Sequence, residues 1–146
     1  MESAANELNI GALVPSLGVV MVFIRLLFLL AVVAGPVIMF VFGRIYRDNP
    51  PKEANYTMGY RCWRGMASLE AWTFTQKLAG QVFTKLGKIL VVIAGVIGIV
   101  LLFLKPMAMA WVGLIAMVAE LAVIGGTCIY INVKVRKTYD KDGYLR

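Results

Sequence analysis

Apolar residues in this chain come in long blocks, without the two-residue or three-to-four-residue spacing of a soluble fold. The first block extends from Ile10 to Gly43, interrupted only by Pro15, Arg25 and Pro36. The second, "KILVVIAGVIGIVLLFL", runs from Lys88 to Leu104, and the third from about Met107 to Val133. A block of about 18 or more apolar residues crosses the ~30 Å hydrocarbon core of a bilayer as a helix. The pattern predicts an all-α integral membrane protein, one membrane domain over residues 1–146, with transmembrane helices at 17–42, 88–104 and 107–133. A connecting segment, 44–87, and a tail, 134–146, complete the chain. Within the connection the spacing changes. In "SLEAWTFTQKLAGQVFTKLGK" the residues Leu69, Trp72, Gln76, Ala79, Phe83 and Leu86 recur at three and four. Ser68 suits an N-cap, and Glu70 lies in the first turn, where the helix dipole favours an acid. This predicts an interfacial amphipathic helix lying on the cytoplasmic membrane surface between spans one and two, with Gly87 as the bend into span two.

Composition agrees with a lipid solvent: 60% of the 146 residues are hydrophobic, 16% are charged, and the mean hydropathy is +0.79. A soluble domain carries about a quarter charged residues. Charge position sets the expected orientation. Thirteen of the fifteen Lys and Arg fall in Arg44–Lys88 or Lys134–Arg146, leaving only Arg25 and Lys105 elsewhere. Three spans put both basic regions on one side. Bases accumulate on the cytoplasmic side, so the amino terminus is expected outside and the carboxyl terminus inside. Anionic lipid accounts for the net charge of +7, and no direct nucleic-acid contact is needed to explain it. The chain has no histidine, and its two cysteines, Cys62 and Cys128, are 66 positions apart. A Cys/His zinc site and a histidine triad or proton relay are thereby excluded, and no cofactor is expected.

Arg25 and Glu120 are the ionisable residues well inside apolar blocks, and each needs a partner or an exit there. Arg25 lies about 26 Å of helix from Phe42, and Glu120 about 20 Å from Val133. The difference is about an arginine side chain, so an ion pair between spans one and three is feasible. Snorkelling of Arg25 to the outer headgroups, and a protonated or hydrogen-bonded Glu120, are the alternatives. The very short Lys105-Pro106 turn makes spans two and three antiparallel neighbours. Ala94 with Gly98, and Ala122 with Gly126, have the small-residue spacing that lets helices approach in lipid, and are expected to hold that hairpin together.

The stretch "NYTMGYRCWRGMASLEAW", Asn55–Trp72, is unlike its surroundings. Rings and cations of this kind suit a membrane interface. Gly59 permits an unusual backbone or a close approach. Arg61 supplies a planar donor for a carboxylate, a phosphate or helix carbonyls. It is expected either to fold onto Glu70 or the helix ends as a lock, or to recognise a peptide, a lipid headgroup or a protein. The segment, continued to "TFTQKLAG", resembles the signature of the SdpI family of bacterial membrane proteins. Asn55, Gly59, Tyr60, Arg61, Ser68, Glu70, Trp72 and Gln76 fall in step with that signature, while Cys62 stands where the family usually has threonine. The resemblance implies a multi-pass protein of the bacterial cell membrane. It implies a partner in a secreted, membrane-active peptide toxin against which the protein gives immunity, and a cytoplasmic transcriptional repressor as a second. With no nucleophile–base pairing and no metal-ligand cluster visible in the sequence, no enzymatic activity is expected, and a homo-oligomer stays open. Two other readings stay open: a small transporter or channel subunit using Glu120 and Arg25, and a membrane enzyme or lipid-headgroup binder gripping phosphate with Arg61.

Overall fold

The computed structural model describes residues 10–54 and 58–146, with side chains from residue 17 onward. Three long helices carry the fold: α1, Ile10–Asp48; α2, Leu69–Phe103; and α3, Pro106–Thr138. A single turn of 3-10 helix, Arg64–Met66, lies in the connection. Among the described residues there is no strand, only an isolated bridge between Tyr139 and Leu145. All three helices are long and apolar enough to cross a membrane. At 39, 35 and 33 residues, they span about 50–58 Å at the helical rise, well beyond the ~30 Å of hydrocarbon. At one end of the bundle α1 and α3 finish and α2 begins. That end carries the bases.

The ends follow from local chemistry. Asp48 ends α1, the amide of Asn49 still donating to the Ile45 carbonyl, and Pro50-Pro51 prevents continuation. Ser68 caps α2, its hydroxyl accepting the Ala71 amide at 3.1 Å. Lys105 precedes α3, and Pro106 occupies its first position, where a missing N–H costs nothing.

No separate amphipathic helix lies on the membrane surface. Residues 69–87 are the first half of α2, continuous with its membrane-spanning half. Of the apolar face read from the sequence, Trp72, Gln76 and Ala79 are buried against protein, Phe83 and Leu86 are half-buried, and Leu69 is exposed, while Ala71, Thr75, Gly80, Thr84 and Gly87 are buried beside them. The first turn, Leu69 and Glu70, and a polar stripe through Lys77, Gln81, Lys85 and Lys88 stay exposed. Glycine packing makes this possible. A Cβ on Gly80 would stand 2.5 Å from the Arg47 backbone nitrogen, one on Gly43 would collide with the Thr84 backbone, and one on Gly87 would stand 2.7 Å from the Phe40 Cα. Further along, Gly98 meets Leu29. Each step along α2 is matched by an equal step back along α1, so the two helices hold one antiparallel register from the basic end to the opposite end. Gly87 is therefore a contact point in this seam and not a bend.

The same geometry corrects the expected hairpin. Gly98 packs on Leu29 and Val33 of α1, not on α3, while Ala122 is exposed and nothing lies within 4 Å of a Cβ on Gly126. The α3 helix instead joins through Met109 and Ala116, which share a buried cluster with Val32, Ala94 and Leu101, and through Gly113 against the Phe28 ring.

Candidate functional site

The connecting segment folds over the basic ends of the helices. Gly59 turns the chain with φ +115°, a backbone that side chains resist, and a Cβ there would stand 2.8 Å from the Trp72 ring. The turn lets the Tyr60 backbone lie along Gln76. The Tyr60 amide donates to Gln76 Oε1 at 2.8 Å, and Gln76 Nε2 donates to the Tyr60 carbonyl at 2.7 Å. Gln76 is fully buried, and its amide replaces the backbone partners that this extended piece lacks. Trp72, also fully buried, donates from Nε1 to the Pro51 carbonyl at 2.8 Å, tying down the start of the connection. Tyr60 reaches the third helix: its hydroxyl donates to the Cys128 carbonyl at 3.0 Å, and its ring meets Phe83 edge-on at 5.7 Å. Burial pushes the Tyr60 phenol well above its ordinary pKa, so it stays a donor through the physiological range.

The second half of the segment is locked to α3. Arg64 Nη1 donates to the carbonyls of Arg136 at 3.2 Å and Tyr139 at 3.1 Å, meeting the negative end of the α3 dipole. Gly65 is buried because a Cβ would stand 2.5 Å from the Thr75 hydroxyl and 2.7 Å from the Cys62 sulfur. Burial raises the Cys62 thiol above its ordinary pKa, while hydrogen bonding with the Gly65 backbone and Thr75 and the charge of Arg136 pull the other way.

Beyond α3 the tail doubles back. Tyr139 is buried, its ring 5.4 Å from Phe74, and the Ser68 hydroxyl donates to the Gly143 carbonyl at 2.8 Å. Gly143 has φ +85° and no room for a Cβ against Ser68. Asp140 accepts the amides of Tyr144 and Asp142, each at 2.9 Å, which holds its carboxyl below the usual range.

Of the residues singled out by sequence, Gly59, Tyr60, Ser68, Trp72 and Gln76 meet in this one cap. Arg61 and Glu70 are exposed on its rim. Asn55 lies outside the described residues. Arg25 and Glu120 are in the membrane part, and the structure does not bring them together. The Arg25 guanidinium donates to the Leu102 and Leu104 carbonyls, closing the far end of α2, and Glu120 borders Gly35 of α1. Sequence reasoning missed Arg64, the guanidinium that spans loop and helix end. One signal was available: Gly65 directly after it marks a place where the loop must pass close to something. Among the described residues no three His, Cys, Asp or Glu side chains are placed to hold a metal.

Three lipid-compatible helices with a loop folded into a basic cap define a multi-pass membrane protein whose distinctive chemistry lies at one membrane face. The chain belongs to the SdpI/YfhL protein family, whose profile matches residues 52–131, more than half of its length. The matched stretch holds the whole connecting motif from Lys52 onward, all of α2, and α3 as far as Ile131. No curated protein and no solved structure matches the chain.

Proposed function

We propose that this protein is an immunity and signalling protein of the bacterial cell membrane, giving resistance to a secreted membrane-active peptide and holding a cytoplasmic repressor at its basic face. Membership of the SdpI/YfhL family carries the reading, and five residues of the segment that resembles its signature, Gly59, Tyr60, Ser68, Trp72 and Gln76, meet in the cap. The basic cap lies inside the cell in this reading, with the amino terminus outside, which the distribution of Lys and Arg favours. Its thirteen bases and five acids suit an acidic protein surface. The role is one of binding, not catalysis. The bundle senses or sequesters the peptide in the membrane, and the cap, rimmed by Arg61 and Glu70, reports it.

Survival of a sensitive bacterium challenged with a secreted membrane-active peptide tests the proposal. Cells expressing the wild-type chain are expected to survive. Arg61→Ala, at equal membrane levels, is expected to lose protection, because this exposed guanidinium serves recognition. Equal survival of wild type and vector control across peptides of this class would overturn the reading. Full protection by Arg61→Ala would remove the rim as the site.

A further inference from the structure

Beside the buried motif, where the loop leaves Tyr60 and α3 leaves the membrane, a cavity of about 130 Å³ is lined by Cys62, Trp63, Arg64, Asn132, Val135 and Arg136. Asn132, Val135 and Arg136 are one turn of α3, at the spacing that shares a face. Two guanidinium groups, one carboxamide and one thiol line this space, and no carboxylate does. Among the described residues the side chains of Asn132 and Arg136 make no hydrogen bond, and Arg64 commits only one nitrogen, Nη1, to the helix carbonyls. Burial dominates at the Cys62 thiol and raises its pKa, and the nearby charge of Arg136 acts against it.

Size and depth narrow the occupant. Pockets for drug-sized molecules run from about 300 Å³ upward. This one suits a single tetrahedral anion or the head of a longer molecule. From Lys105 to Asn132 the helix rises about 40 Å, which matches a bilayer with its headgroup layers, about 40–45 Å. The cavity therefore opens in the headgroup zone at the basic face, the layer in which lipid phosphates lie. Paired guanidinium forks match phosphate oxygens in geometry as well as charge.

We propose that this cavity is a phosphate-binding site, in which Arg136, Asn132 and the uncommitted nitrogens of Arg64 hold the phosphate group of an anionic phospholipid or of a free phosphate ester. The site is separate from the rim assigned to the peptide and repressor, and it stands whether or not that assignment does. Occupancy would fix the end of α3 to the membrane surface at the point where Arg64 ties the loop to it.

Cys62 lines the cavity, so its alkylation reports occupancy directly. In the Cys128→Ser chain, purified in neutral detergent, Cys62 is the sole thiol, and its rate of modification by iodoacetamide is measured. The probes are inorganic phosphate against chloride of equal ionic strength, and mixed micelles of phosphatidylglycerol against a neutral glycolipid with no phosphate. A filled site is expected to slow alkylation by about five- to tenfold at saturation. Arg136→Gln, at an exposed position, and Asn132→Ala, at a half-buried one, leave the Arg64 lock to backbone carbonyls intact and are each expected to abolish that protection. Slowing by phosphatidylglycerol alone assigns a lipid, and slowing by inorganic phosphate as well assigns any phosphate ester. An unchanged rate with both probes overturns the proposal. So does equal slowing by the glycolipid, or protection that survives in both variants.

Discussion

Gln76 shows how much a single side chain does in this cap. Its amide supplies both the donor and the acceptor that the Tyr60 backbone requires, at 2.7 and 2.8 Å. Leucine there would keep most of the volume and remove both. Each polar group left unpaired on burial costs about 1–3 kcal/mol. Gln76→Leu is therefore expected to destabilise by at least 2 kcal/mol (roughly, for two such groups) and to open the loop first. Limited proteolysis between Pro51 and Ser68 reads that opening. Asp140 gives a pH signature. Its carboxyl is held below the usual range by the Tyr144 amide first, with Asp142 and Gly143 assisting. A depressed carboxyl contributes stability above its unfolded pKa, about 3.9, and loses it as pH falls through the folded value. Amide exchange at Asp142 and Tyr144 is expected to accelerate below about pH 4, and Asp140→Asn to remove that dependence. Thr84 is the opposite case: its hydroxyl is buried with no partner among the described residues. Thr84→Val is expected to be neutral or stabilising by up to about 1 kcal/mol in a detergent unfolding titration.

The helices as elements explain what was legible in the sequence. Three apolar blocks gave three spans, because a lipid-facing helix needs no period and simply needs length. Ser68 marked the start of α2 correctly, because capping is chemistry local to four residues, while Pro106, read as part of the turn, is the first residue of α3. The period of residues 69–87 was also real, but a period tells only that one face is covered, not what covers it. Protein covers it here, through glycines in two helices more than thirty residues apart in sequence, and no local pattern carries that distance. The small-residue pairs misled for the same reason: Gly98 packs closely on Leu29 of α1, and Ala94 lies in a cluster shared by all three helices. The seam itself is testable. Gly80→Ala places a Cβ 2.5 Å from the Arg47 nitrogen, and such overpacking costs about 1–3 kcal/mol. Gly125→Ala meets nothing within 4 Å and is expected to be neutral or to stabilise the helix by a few tenths of a kcal/mol or more, up to about 1. Opposite signs for these two glycine substitutions, in the same unfolding titration, check the assignment.

At the scale of the whole molecule, the bases lie at the end where α1 and α3 finish, and only Arg25 and Lys105 lie at the other. Single cysteines at Lys141 and Lys105, in a chain without Cys62 and Cys128, test the orientation we propose. An impermeant thiol reagent added to intact cells is expected to label Lys105→Cys and to spare Lys141→Cys until the membrane is opened. The site was legible in part: Gly59, Tyr60, Trp72 and Gln76 stood out as a group through the resemblance to the SdpI signature, and helical spacing alone linked only Trp72 with Gln76. Arg64 was hidden because its partners, the carbonyls at the end of α3, are 72 and 75 positions away. One consequence of the glycine seam is mechanical. The α2 helix is a single shaft about 52 Å long, fastened at one end to the loop through Trp72 and Gln76 and at the other to the Arg25 guanidinium. A shaft of that length that leans by about 5° sweeps its far tip through about 4–5 Å, more than a hydrogen bond can stretch. Under the orientation and role we propose, an object wedged against the end of the bundle that holds Arg25 would move the cap by leverage alone, and news of its arrival would cross the bilayer without anything passing through.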